Sequence, residues 1–173
     1  MFTFSETTDK LDNYLRSLDI DDPARIMELE KANILLLPSL YELFEHIAEA
    51  FYKYCTLNHP EHSIEYCSPT KSLKTLCSTT GNISLPTIIT SNTFLPTLLN
   101  IISGFLHDRL KQRAREREII SESGVNLPAE TYIEFKILVT MKNRKSKTIS
   151  YKGSSKTLAE SFEKIDLNEI FAD

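Results

Sequence analysis

The sequence predicts an α+β protein: an N-terminal helical layer, a long central helix, and a C-terminal β-hairpin with one covering helix. Three observations carry this expectation. Thirty-two consecutive residues, Thr75 to Leu106, bear no charged side chain and end in TSNTFLPTLLNIISGFL. Apolar residues in the first third recur at helical spacing, i, i+3, i+4, i+7. Beyond about residue 130 the period shortens from 3.6 to 2, the spacing of a strand.

The N-terminal elements follow from caps and stripes. Thr7 or Thr8 can cap a first helix that carries Leu11, Tyr14, Leu15 and Leu18 on one face. Asp22 followed by Pro23 marks a second start, because proline suits the first helical position. Ile26, Leu29, Leu36 and Leu37 extend this helix to Pro38, which disfavours helical geometry in the residue before it. Ser39 and Glu42 then form a capping box. The helix it opens carries Leu40, Leu43, Phe44, Ile47, Ala48, Phe51 and Cys55 on one stripe, against Glu42, Glu45, Glu49 and Lys53. Asn58 to His62 breaks the pattern as a polar loop; Pro60 splits its two histidines, which argues against a metal site. Ser63 to Tyr66 reads as a short strand, and GNISLPTIIT alternates too loosely to assign.

The central helix is predicted over about 97–120. Leu98, Leu99, Ile102, Leu106 and Leu110 lie on its buried face, widened by Ile101 and Phe105. Gly124 and Pro128 stop it. Tyr132 to Thr140 and Thr148 to Tyr151 are the strands of a hairpin joined by the polar turn MKNRKSK. Thr157 and Glu160 form a second capping box, opening a helix whose Leu158, Phe162 and Ile165 can cover the hairpin. A hairpin and one helix are too little to fold alone. Region 125–173 must therefore dock on the mainly helical region 1–124 or on another subunit.

Charge is segregated along the chain. Residues 1–66 hold thirteen acidic and five basic side chains, whereas residues 108–156 hold twelve basic and six acidic, although the total is only −4. Such halves attract each other and offer separate faces to partners. Three cysteines, Cys55, Cys67 and Cys77, match no metal-ligand spacing and suit a reduced cytoplasmic setting. The N-terminal residues lack the basic and apolar regions of a secretory signal.

Chemistry-bearing patterns are sparse. Gly153 to Thr157 resembles the end of a phosphate-binding loop but lacks its first glycine. His46 and His107 have no nucleophile at a spacing that sequence would pair. No catalytic, cofactor-binding or metal-ligating residues are assigned, and no cofactor is expected. The functional candidate is the basic run that follows the uncharged span, Arg109, Lys111, Arg113, Arg115 and Arg117, joined by Lys142, Arg144, Lys145 and Lys147 of the hairpin turn into one patch. Arg109, Arg113 and Arg117 share a ridge of the helix.

The order of LPTLLNIISGFL, DRLKQRARER, IEFKILVTMKNRKSKTISYKG and SSKTLAESFEKI resembles the effector-associated constant component proteins of bacterial conflict systems. The resemblance covers residues 83–165; the helices of residues 5–57 lie outside it. It implies a scaffold or adaptor beside a larger effector in an anti-phage defence complex. Charge segregation, the undersized C-terminal unit and the lack of a catalytic constellation lead from the residues to the same expectation, a non-enzymatic interaction subunit that binds a larger protein or a second copy. The residues themselves leave two other readings. A membrane-surface protein would use the 75–106 span and the basic helix against anionic lipid. A nucleic-acid-binding accessory protein would use the basic patch, although no aromatic side chain is interleaved with it. A membrane crossing fits poorly, because Ile83 to Leu106 has only twelve strongly apolar residues in twenty-four, with two prolines.

Overall fold

The computed structural model describes residues 2–7, 11–37, 45–67, 82–121, 130–141 and 146–165. The elements in chain order are β1 (Phe2–Thr7), α1 (Leu11–Ser17), α2 (Pro23–Lys31), β2 (Ile34–Leu36), α3 (Glu45–Asn58), β3 (Ile64–Tyr66), β4 (Ile83–Ser84), β5 (Ile88–Ser91), α4 (Leu95–Ser121), β6 (Tyr132–Thr140), β7 (Ser146–Ser154) and α5 (Ser155–Glu163). The class is α+β, built on one mixed sheet of order β1-β7-β6-β5-β2-β3, with β4 also on β6. β6 and β7 form the antiparallel hairpin, and β1 continues it antiparallel. β5 and β4 both run parallel to β6, and β3 runs parallel to β2. Each parallel pair next to a helix in the chain uses that helix as its crossover: α4 between β5 and β6, α3 between β2 and β3.

Alternation along the strands divides the core into two layers. Ile34, Leu36, Ile88, Ile137 and Val139 meet the apolar faces of α3, α4 and α5. Their neighbours Leu35, Leu37, Ile89 and Leu138 face the other way, onto Leu15, Ile20 and Leu29 of the α1–α2 segment. The sheet is thus sandwiched between helices, and its central strands are buried on both faces.

That double burial explains the main departures from the sequence expectations. The run Ile34 to Leu37 was expected to finish the second helix; instead α2 stops at Lys31, Ala32 turns extended (φ −65, ψ 136), and Ile34–Leu36 becomes a strand. A strand covered on both faces needs an unbroken apolar run and shows no alternation, so it mimics a helix segment. The loosely alternating stretch around Pro86 is two short strands, β4 and β5, bridged where the Leu85 amide donates to the Glu134 carbonyl at 2.9 Å. The N-terminal layer is not helical throughout, because β1, β2 and β3 all enter the sheet. Nor is the hairpin an appended unit: β6 lies between β7 and β5, inside the sheet.

Other features stand where the residues place them. Asp22 caps α2, its carboxylate accepting from the Ala24 amide at 3.2 Å. Ala48, Phe51 and Cys55 of α3 are buried. α4 begins at Leu95, with Pro96 in the first turn, where its missing amide costs nothing. Leu98, Leu99, Ile102 and Leu106 are all buried. The Ser39–Glu42 box and the turn residues 142–145 lie outside the described residues. The Thr157–Glu160 box is replaced by a different start: α5 begins at Ser155, and the Thr157 hydroxyl lies within hydrogen-bonding distance of the Ser154 carbonyl and the Tyr151 hydroxyl, at 3.2 and 3.1 Å. Strand β7 runs directly into α5. No loop is left there to cradle a phosphate. Among the described residues no helix is long and apolar enough to cross a membrane.

Candidate interaction face on the long helix

The two halves of α4 do different work. From Leu95 to Leu106 its apolar residues fill the core between α3, α5 and the sheet. Phe105 meets Phe51 edge-on at 5.1 Å and Tyr54 at 5.4 Å between ring centroids. Gly104 lets Tyr54 approach: a Cβ there would stand 2.6 Å from the Tyr54 hydroxyl oxygen. From His107 onward the helix surface is largely exposed.

The five basic residues of this second half separate into two groups. Arg113 donates from Nη2 to the Asn82 carbonyl at 3.1 Å, just before β4. Arg117 donates from Nη2 to Thr131 Oγ1 at 2.8 Å, just before β6. Burial, and then the like charges of Arg109 and Arg117, pull the Arg113 pKa below its ordinary value. Arg109 packs its guanidinium over the Phe105 ring at 5.5 Å and donates to Gln112 at 3.2 Å, which in turn reaches Glu116 at 3.0 Å. The ridge read from the sequence as the contact surface is therefore engaged largely with its own chain. Lys111 and Arg115, four residues apart and therefore on one side of the helix, are exposed.

Lys147, near the start of β7, does not join this face. In a parallel β5–α4–β6 unit the helix runs opposite to the strands, so its basic end lies over the start of β6, as the Arg117–Thr131 contact records. Lys147 pairs with Val139 and Glu6 near the other end. At about 3.3 Å per residue the two lie roughly 26 Å apart along the strand. The single patch that the sequence suggested is not formed between the helix and Lys147, while Lys142, Arg144 and Lys145 lie outside the described residues.

Glu61 stands between His59 Nδ1 (3.7 Å) and His62 Nε2 (3.3 Å), and His62 packs edge-on against Phe94 at 4.8 Å. This turn ties the end of α3 to the start of α4. No group of three or more metal-ligating side chains is placed to hold an ion among the described residues. A groove of about 220 Å³ between α4 and α5 is lined, among the described residues, by Pro96, Leu99, Asn100, Ser103, Phe162 and Ile165, of which Asn100 and Ser103 are polar.

One feature had no sequence signal. Arg25, in the first turn of α2, is 7% exposed and donates from Nη1 to Glu28 at 2.6 Å and Glu65 at 2.9 Å, and from Nη2 to the Tyr66 carbonyl at 2.7 Å. Burial opposes its charge, but the hydrogen bonds to Glu65 and Glu28 outweigh this and hold its pKa above the ordinary value. It is a clamp between α2 and β3. Comparison with protein-family models, curated proteins and solved structures gives no match.

Proposed function

We propose that this chain is a non-enzymatic interaction subunit that engages an acidic surface of a larger protein through the outer side of α4. The observation that carries this reading is the division of labour among the basic residues. Arg113 and Arg117 fasten the helix to the starts of β4 and β6, and Lys111 and Arg115 remain exposed on the helix so fixed. Cations on an anchored helix lose less conformational freedom on binding than cations on a loop, which favours a specific contact. The resemblance of residues 83–165 to effector-associated constant components points in the same direction and supplies the setting, an adaptor beside a larger effector in an anti-phage complex.

The test is capture of partners by the tagged chain in its native cell, comparing the natural sequence with a Lys111→Glu/Arg115→Glu variant. The expected result is a protein partner that is retained after nuclease treatment, released by raised salt, and lost from the variant. Exposed charge contacts weaken as salt screens them. Identical captures by both proteins, release of the partner by nuclease, or no capture at all would each overturn this reading.

A further inference from the structure

The outer edge of β1 carries a second inference, independent of the basic helix. Among the described residues β1 is the terminal strand of the sheet, and its six residues pair without a bulge with Ser146 to Tyr151 of β7. Alternate amide and carbonyl groups of an edge strand point away from its neighbour. Edge strands are commonly protected by proline, lysine, a bulge or a covering element. FTFSET has neither proline nor lysine, and Thr3, Phe4, Ser5 and Glu6 are all exposed. Phe4 leaves 49% of its surface in solvent, at the end of an aromatic row in which Phe2 stacks on it at 6.4 Å and Phe2 in turn meets Tyr151 and Phe162.

We infer that β1 is a self-pairing edge: two copies of this chain join β1 to β1 antiparallel, making one continuous sheet. The strand is complementary to itself. A two-fold axis normal to the sheet keeps each face on its own side, so only residues of equal parity can stand opposite one another. Of the registers this permits, those centred on Phe4 and Ser5 each pair five residues of β1, and that centred on Thr3 pairs three. The register centred on Phe4 sets Phe4 against Phe4 of the other copy, Thr3 against Ser5, and Phe2 against Glu6. It pairs residues 2–6, and the aromatic–aromatic and hydroxyl–hydroxyl pairs it forms are those that stabilise antiparallel ladders. The single charge of the strand, Glu6, never meets its own copy. Centring on Thr3 shortens the ladder to residues 2–4, and centring on Ser5 sets Phe4 against Glu6.

Sedimentation velocity of the 173-residue chain over about a hundredfold range of concentration reads this directly, since a dimer dissociates by mass action on dilution. The expected result is a concentration-dependent monomer–dimer equilibrium that Phe4→Lys weakens at least about tenfold, because it sets like charges directly opposite. The register is tested by thiols introduced through Phe4→Cys or Glu6→Cys in a Cys77→Ser background. A disulfide across the two-fold axis requires close Cβ atoms, so the first variant should cross-link to a dimer on mild oxidation and the second should not. A strictly monomeric natural chain, a dimer indifferent to Phe4→Lys, or equal cross-linking from positions 4 and 6 would each overturn the inference. Retention of the natural circular dichroism spectrum by Phe4→Lys separates loss of pairing from loss of fold.

Discussion

Arg117 reaches from the last turns of α4 to the hydroxyl of Thr131, 2.8 Å away, and so ties the end of the crossover helix to the residue just before β6. Thr131 is 2% exposed, which makes the contact asymmetric. Arg117→Met strands a buried hydroxyl, whereas Thr131→Val removes a buried polar group and leaves a half-exposed guanidinium able to find water. The expected losses are about 1–3 kcal/mol for Arg117→Met and less for Thr131→Val. In a chain of this size each kcal/mol corresponds to roughly 2–4 °C of melting temperature. Thermal denaturation followed by circular dichroism should rank Arg117→Met below Thr131→Val. Equal losses would mean that the pair does not act through this hydrogen bond.

The Arg25 clamp predicts a larger effect. Its guanidinium is held by two carboxylates and a backbone carbonyl, so a neutral isostere takes a charged donor away from Glu65 and from the Tyr66 carbonyl. Breaking a buried pair by removing one partner costs about 3–5 kcal/mol. Glu65 is only partly buried, which sets Arg25→Met toward the low end of that range. Glu65→Gln should cost less, because an amide oxygen can still accept. Urea titration distinguishes the two, and moderate salt should change neither, since buried pairs are weakly screened. A surface pair such as Lys53–Glu49, with the lysine largely exposed, gives the contrasting behaviour.

What the residues reveal depends on how many faces each element buries. α4 covers one layer and leaves one side in solvent, so its stripe is legible; predicted over 97–120, it spans Leu95–Ser121. β6 was legible for a related reason: its Glu134 stays exposed while Ile133, Phe135 and Ile137 face the core. β2 was hidden because both of its faces are covered and no polar residue interrupts ILLL. In FTFSET the alternation of Phe2 and Phe4 with Thr3 and Ser5 is present, but it lies in a short segment against a stronger helical signal from Leu11 onward. The basic ridge was legible from the i, i+4 spacing of Arg109, Arg113 and Arg117. Its inward use could not be read, because Asn82 and Thr131 are distant in sequence and become neighbours only through the parallel crossover.

The close approach of Tyr54 to Gly104 makes a sign-changing prediction. Alanine is favoured over glycine inside a helix by about 1 kcal/mol. At position 104 that gain is opposed, because the new methyl group would sit 2.6 Å from the Tyr54 hydroxyl oxygen but an ordinary 3.7 Å from Tyr54 Cζ. Gly104→Ala alone should therefore be close to neutral or destabilising. In a Tyr54→Phe background, without the hydroxyl, the same substitution should stabilise by up to about 1 kcal/mol. A double-mutant cycle in urea measures the difference. Additive effects would show that the ring moves aside without cost.

The buried cysteines give the chain an alkaline limit. Burial pushes the Cys55 thiol from its ordinary value of 9.0 up to about 12, and the Cys67 thiol up to about 11 despite the lowering influence of Arg25. In the unfolded chain both ionise near 9.0, so between that pH and the folded values the unfolded state has released protons that the folded state retains. Stability from these groups is then fully present below about pH 9, and it declines as pH rises toward the folded values. Cys55→Ala removes one of the two contributions. It should lower stability at neutral pH by opening a small cavity, yet flatten the fall above pH 9. Urea unfolding at stepped alkaline pH tests this, and a slope unchanged by Cys55→Ala would refute it. Thiol reactivity gives a parallel reading. In a Cys77→Ser background the remaining two cysteines should react with an aromatic disulfide reagent only as fast as the fold opens, because the thiolate is the reacting form. Denaturant should then release both together.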